Sequence, residues 1–231
     1  MIILLFILFY IFILLQILIQ NNVHQTPNYY DAFDLYPELK LLVCSSNKII
    51  NEIMSINKLR WQKWKEQNLI NKEGDWKIIP LFINNKWAIN YKKHLPILYK
   101  TLQKIVSFGS LRQIAISKLG PNTKLNPHCG WASYSNYHLR CHYPIYLPRI
   151  TNINDYSYVC VENEIKIHNH NQFLLFDDSK NHFAHNGSSN DERIVLIMDF
   201  IRPSNIPMGT SNIEDTAEYL EFINEWNKYP L

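Results

Sequence analysis

Beyond Asp75 the chain breaks into short strand-like runs, and this texture restricts the fold more than any other feature. The runs are Trp76–Ile83, Arg112–Lys118, His138–Leu147, Tyr156–Val161, Phe173–Phe176 and Arg193–Phe200, separated by turns rich in Asn, Asp, Ser, Gly and Pro. One helical stretch interrupts them, Leu95–Val106, with Leu98, Leu102 and Ile105 on one face. Many short strands without long intervening helices predict a mainly β domain, an antiparallel sandwich or barrel.

The segment before Asp75 reads differently. From Pro37 to about Asn68 the apolar residues fall at helical spacing, first Leu39, Leu42 and Val43, then Ile49, Ile50, Ile53 and Met54. Ser46 is the expected cap of a second helix, and Trp61 and Trp64 are expected on a solvated helix that buries both rings. The tail is expected to reopen a helix at Ser211, with Glu214 completing a capping box. Met1 to Gln20 carries no charged side chain and is long enough, as a helix, to match a bilayer core. It lacks the basic start and small-residue cleavage site of a signal peptide, so it is read as an uncleaved single-pass anchor. The expected organisation is therefore an anchor (1–20), a polar linker (21–36), a catalytic domain (37–205) and a helical tail (206–231). A lumenal or extracytoplasmic domain is the expected topology, and the bilayer is an expected partner.

Composition removes several functions. A net charge of +3 over 231 residues excludes nucleic-acid binding by bulk electrostatics. Aromatic residues make up 13%, too many for a chain that never packs. Six glycines and no G-x-G-x-x-G or Walker pattern argue against a phosphate loop, and four cysteines against a disulfide scaffold. Asn186-Gly187-Ser188 is a glycosylation sequon close to the expected site.

The histidines carry the chemistry. Pro127-His128-Cys129-Gly130 precedes a turn, after which Leu139, Cys141, Tyr143 and Ile145 alternate as a core row. Arg140 and His142 share the opposite face, which is costly unless they meet an anion or a metal-bound group. Phe176-Asp177-Asp178-Ser179 leads to His182, and Arg193 opens the last long run. His168 and His170 stand in an Asn-rich turn and are expected to be solvent-exposed; His185 is expected to line the pocket or to back a residue that does. An orienting or turn-stabilising role is expected of Asp177 and Asp178.

Together Ser117, Pro127-His128-Cys129-Gly130, Leu139-Arg140-Cys141-His142, Phe176-Asp177-Asp178-Ser179 with His182, and Arg193 through Arg202-Pro203 resemble the aspartyl/asparaginyl β-hydroxylase family. Eleven residues separate Ser117 from His128, and six separate Phe176 from His182. The resemblance runs from about Asn28 to Pro203. It implies a double-stranded β-helix (jelly-roll, cupin-like) core with flanking α-helices, and an Fe(II)- and 2-oxoglutarate-dependent dioxygenase that uses O2. It implies His128 and His182 as iron ligands, Arg140 and His142 at the metal-proximal carboxylate of 2-oxoglutarate, and Ser117 and Arg193 at its distal carboxylate. Imidazole suits Fe(II), and Arg supplies a cation that resists deprotonation.

Most such oxygenases add a carboxylate two residues after the first His, where this chain has Gly130; the family resembled is similar in doing without it. The turn between Gly130 and Arg140 is longer than the family's, His168-Asn169-His170-Asn171 replaces its approach to the Phe-Asp-Asp-Ser element, and His185 replaces an aromatic. These departures bear on substrate. The implied substrate is the β-carbon of Asp or Asn in a protein or peptide, such as a growth-factor-like module. The alternatives are an acyl-chain hydroxylase acting on a membrane lipid, a halogenase, and a catalytically silent binding module. A greasy groove leading to His128 would favour lipid, and a polar open one would favour peptide.

Overall fold

The structure is a computed structural model that describes residues 26–55, 60–83, 85–88, 91–150 and 152–225. The expected anchor lies outside the described residues, and no helix among them is long and apolar enough to cross a membrane.

Two antiparallel sheets form the body. The larger contains β1 (Tyr29–Tyr30), β2 (Gln62–Lys63), β3 (Trp76–Ile83), β4 (Lys86–Trp87), β5 (Leu111–Leu119), β6 (His138–Tyr146), β9 (Leu174–Phe176) and β11 (Arg193–Ile201). Its strand order is β1-β9-β6-β11-β5-β3-β2, with β4 paired to β3. The smaller sheet has the order β10-β7-β8, from β7 (Ser157–Val161), β8 (Glu164–Ile167) and β10 (His182–Asn186).

Alternation gives the larger sheet two different faces. Ile114, Ile116, Leu139, Cys141, Tyr143, Leu196, Met198 and Phe200 are fully buried in the hydrophobic core. Leu42, Ile49 and Ile53 of α2 (Lys40–Ser55) and Leu98, Leu102 and Ile105 of α4 (Pro96–Val106) belong to the same core. Two short helices, α1 (Ala32–Leu35) and α3 (Tyr91–His94), precede these two. The other parity carries Ser117, Arg140, His142, Arg193 and Ile197 towards Val159, His182 and Ala184 of the smaller sheet, and the space between holds a cavity.

Several local expectations give way to tertiary contacts. Residues 40–55 form one helix, not two; Ser46 sits inside it, buried, and donates to Asn171 Oδ1 at 2.8 Å. Trp64 is not on a solvated helix. Its backbone N–H bonds Trp76 C=O at 3.0 Å and its ring stacks on Trp76 at 4.8 Å. In the segment read as a linker, Tyr29 and Tyr30 pair with Phe176 and Leu175, and Tyr29 OH donates to Val159 C=O at 2.8 Å. The tail helix, α5 (Ala217–Glu225), starts later than the capping-box reading. Ser211 instead hydrogen-bonds Gly130 C=O, while Thr216 Oγ1 accepts the Tyr219 N–H at 3.1 Å.

Candidate active site

His128 and His182 come together across the mouth of the cavity. Their backbones exchange two hydrogen bonds, 3.0 and 2.8 Å, in an isolated antiparallel bridge, and their ring centroids lie 4.4 Å apart. His128 Nδ1 meets Asn126 C=O at 2.7 Å, and His182 Nδ1 meets Lys180 C=O at 2.9 Å. A carbonyl can only accept, so both protons sit on Nδ1 and both Nε2 lone pairs are left for a metal. Burial pushes the pKa of His128 down to about 3 and that of His182 down to about 4, so both rings are neutral, as metal ligation requires.

Asp178 closes the third side. Its Oδ1 lies 3.2 Å from His182 Nε2 and 2.7 Å from Arg140 Nη1. Its neighbour Asp177 points the other way, into a two-point pairing with Arg202 at 2.6 and 2.9 Å, and accepts the Ser179 hydroxyl. The two consecutive carboxylates thus divide the work: one faces the histidines, the other pins the loop that carries them. Gly130 explains why no side chain stands two residues after His128. A Cβ there would lie 2.3 Å from Asp178 Oδ2 and 2.7 Å from Ser135 Cβ. Among the described residues no set of three or more His, Cys, Asp or Glu side chains could enclose a metal ion. The site offers two imidazoles.

Deeper in the cavity stand Ser117, His142 and Arg193. Arg193 is 1% exposed, and neither its Nε nor its Nη1 has a hydrogen-bond partner. Burial alone pushes its pKa down to about 9. An uncompensated guanidinium inside a protein costs several kcal/mol, roughly, and calls for an anion. Ser117 lies on the adjacent strand and the same face; its Oγ accepts Trp76 Nε1–H at 3.0 Å, leaving its own proton to donate. The empty volume here is about 370 Å³.

Arg140 and His142 share the interior face, as alternation predicts, but they are already occupied. Arg140 Nε and Nη2 grip Asp199 at 2.8 and 3.0 Å, and Nη1 faces Asp178. His142 Nδ1 lies 3.3 Å from His168 Nε2. His168 is therefore no surface decoration: it is 3% exposed, and burial followed by Arg193 holds its pKa well below the usual histidine range. His170 is exposed, as expected. His185 does not line the pocket, because three residues along a strand invert the face; its ring packs against Tyr158 at 5.1 Å. The sequon's Asn186 is fully buried, with Nδ2 donating to Leu119, Gly120 and Asp191 carbonyls, so the folded chain offers no glycan site there. All four cysteines are free thiols.

A second hollow opens outward from His128 and Arg140, with an empty volume of about 1080 Å³. Trp64, Trp76, Trp131, Ile197, Ile213 and Phe222 give it an apolar, aromatic wall.

A sequence model of the aspartyl/asparaginyl beta-hydroxylase family matches residues 45–203. The chain belongs to that family. No curated protein matches. Among solved structures, the chain is similar to a 2OG-Fe(II) oxygenase-family oxidoreductase from Burkholderia pseudomallei, at 12% identity and a TM-score of 0.43, covering 72% of this chain and 82% of that one. It is also similar to HygX from Streptomyces hygroscopicus, solved with nickel and 2-oxoglutarate bound, at 9% identity and a TM-score of 0.47, covering 75% and 85%. A cupin-like protein from Thermotoga maritima gives 11% identity and a TM-score of 0.37, covering 72% and 96%. Family membership places the chain among hydroxylases of the dioxygenase type.

Proposed function

We propose that this chain is an Fe(II)- and 2-oxoglutarate-dependent hydroxylase with a double-stranded β-helix core. The observation that carries the reading is the buried Arg193, with Nε and Nη1 unpartnered, in the same cavity as two histidines whose Nδ1 protons are held by backbone carbonyls. An iron centre held by His128 and His182 would supply the oxidising power that splits O2, converts 2-oxoglutarate to succinate and CO2, and hydroxylates an unactivated carbon.

The protein's own part is orientation and charge. Arg193 and Ser117 hold the distal carboxylate of 2-oxoglutarate, relieving the buried guanidinium. His142, steadied by His168, lines the path towards the histidine pair. Arg140 keeps Asp178 and Asp199 in place and offers what remains of its Nη1 and Nη2 donors to the metal-proximal carboxylate. Leu119, Leu125, Val159, Phe176 and Ala184 exclude water around these groups.

The substrate implied by the family is the β-carbon of Asp or Asn in a protein or peptide. A second reading is the acyl chain of a membrane lipid; the aromatic and aliphatic wall beside His128 favours it. The apolar run 1–20 would anchor the enzyme in a membrane with its catalytic domain extracytoplasmic, a placement that protease protection of intact vesicles would check.

The test is succinate release from the iron-loaded protein, with and without Asp/Asn-containing growth-factor-like peptides and lipid acyl chains, followed by product mass. Peptide-stimulated succinate with one added oxygen supports the first reading. Oxygen added to the lipid supports the second. No succinate from folded, iron-loaded protein overturns the enzyme and leaves a binding module.

A further inference from the structure

The outer groove holds a carboxylate, Glu66, that no cation among the described residues meets. Glu66 is 9% exposed and lines the same groove as His128 and Arg140. Its Oε1 accepts the Thr216 hydroxyl at 2.9 Å, and it forms no ion pair among the described residues. Lys65, adjacent in sequence, bridges to Glu221 at 2.6 Å. The groove's guanidinium, Arg140, is shared between Asp178 and Asp199. Trp64, Trp131 and Phe222 line the same groove as Glu66; Trp64 and Trp131 lie 6.1 Å apart between centroids, and Trp64 and Phe222 lie 5.5 Å apart. A buried carboxylate without a counter-charge is costly, and aromatic faces attract cations.

We propose that this end of the groove is a subsite for an alkylammonium group of the substrate, with Glu66 taking the ammonium and Trp64, Trp131 and Phe222 enclosing its stem. This rests on the reading of the groove as the substrate's path to the histidine pair. Burial pushes the Glu66 pKa up, only partly offset by its hydrogen bonds, which is the condition a bound cation would relieve. Thr216 and Phe222 lie beyond residue 203, where the family match ends, so the C-terminal segment gives this chain a recognition surface outside the matched region.

The test uses the full-length protein without metal or 2-oxoglutarate. It is titrated with n-hexylammonium, hexan-1-ol and hexanoate, following tryptophan fluorescence and confirming by calorimetry. Hexylammonium should bind roughly tenfold tighter than hexanol, with hexanoate weakest. Glu66→Gln should level ammonium and alcohol, whereas Glu66→Asp should keep their order. Equal binding of ammonium and alcohol by the native protein, or an undiminished preference in a folded Glu66→Gln variant, overturns the subsite. A parallel thermal shift with Mn(II) and 2-oxoglutarate separates the two readings. A 2-oxoglutarate shift without ammonium preference removes the subsite alone. Ammonium preference without a 2-oxoglutarate shift removes the oxygenase reading and leaves a cation-binding groove.

Discussion

Arg193→Met should raise the stability of the ligand-free protein, or leave it unchanged, while erasing its response to 2-oxoglutarate. Arg193 is 1% exposed with Nε and Nη1 unpaired, so the native fold carries an uncompensated buried cation. Replacing such a charge by an apolar side chain of similar length is neutral or stabilising by about 1–4 kcal/mol. At about 2–4 °C per kcal/mol for a chain of this size, the apparent melting temperature should rise by several degrees. Native protein given Mn(II) and 2-oxoglutarate at about a hundred times its Kd should gain about 2.7 kcal/mol, roughly 5–11 °C, and the variant should gain only the metal's share. Differential scanning fluorimetry in four conditions reads both effects: neither addition, metal, cosubstrate, and both. A variant destabilised by more than about 3 kcal/mol that still shows the full 2-oxoglutarate shift would refute the reasoning, since the guanidinium would then be a structural group.

His128→Ala and His182→Ala should each lose the Mn(II)-dependent thermal shift and 2-oxoglutarate decarboxylation while keeping the β-type circular dichroism of the native chain. Arg202→Met should cost about 3–5 kcal/mol in urea unfolding, because it leaves Asp177 buried and unpaired. Burial alone would raise the Asp177 pKa, but Arg202 and Ser179 outweigh it and hold the carboxyl below the usual range. Its contribution is therefore full above about pH 4 and fades as pH falls through the folded-state value, a loss that the native protein should show in acid titration and Arg202→Met should not. Asn186→Ala should destabilise by about 2 kcal/mol by removing the side chain's hydrogen bonds to three carbonyls, and mass analysis of protein expressed in a glycosylating host should find Asn186 unmodified.

The long central strands were legible because burial on both faces leaves nearly continuous apolar runs. Trp76–Ile83 was placed without error, and β5, β6 and β11 to within one residue at each end. The shared face of Arg140 and His142 followed from strand parity. What escaped was structure fixed by distant partners. Strand β8 exposes all four residues, and its turn, Glu162-Asn163, takes positive φ at 47° and 72° without the usual glycine. Tyr29 and Tyr30 look like linker until β9 is there to pair with them. His168 stands in a turn whose Asn-rich composition suggests solvent, yet His142 and Arg193 surround it; no local pattern could report that. Asp178, Asp199 and Glu66 were likewise invisible as a set, since 133 positions separate the first and last of them in sequence. Only the stacking of β6, β11 and the loop before β10 brings Arg140 between Asp178 and Asp199.

Gly130 and Asp178 show how such distant placement shapes the site. The common iron triad takes its carboxylate from the same segment as its first histidine. Here that position would drive a side chain into Asp178 Oδ2, and the backbone is tied down as well: Gly130 N–H bonds Asp178 C=O at 2.8 Å. The carboxylate that reaches the histidines comes instead from the strand-to-strand loop before His182, and it arrives already sharing Arg140 with Asp199. Burial drives the Asp178 carboxyl pKa up, against the pull of Arg140 beside it. A carboxylate held in that way is fixed beside the histidines by Arg140. The glycine is thus required by the aspartate, because packing alone excludes a side chain two residues after His128.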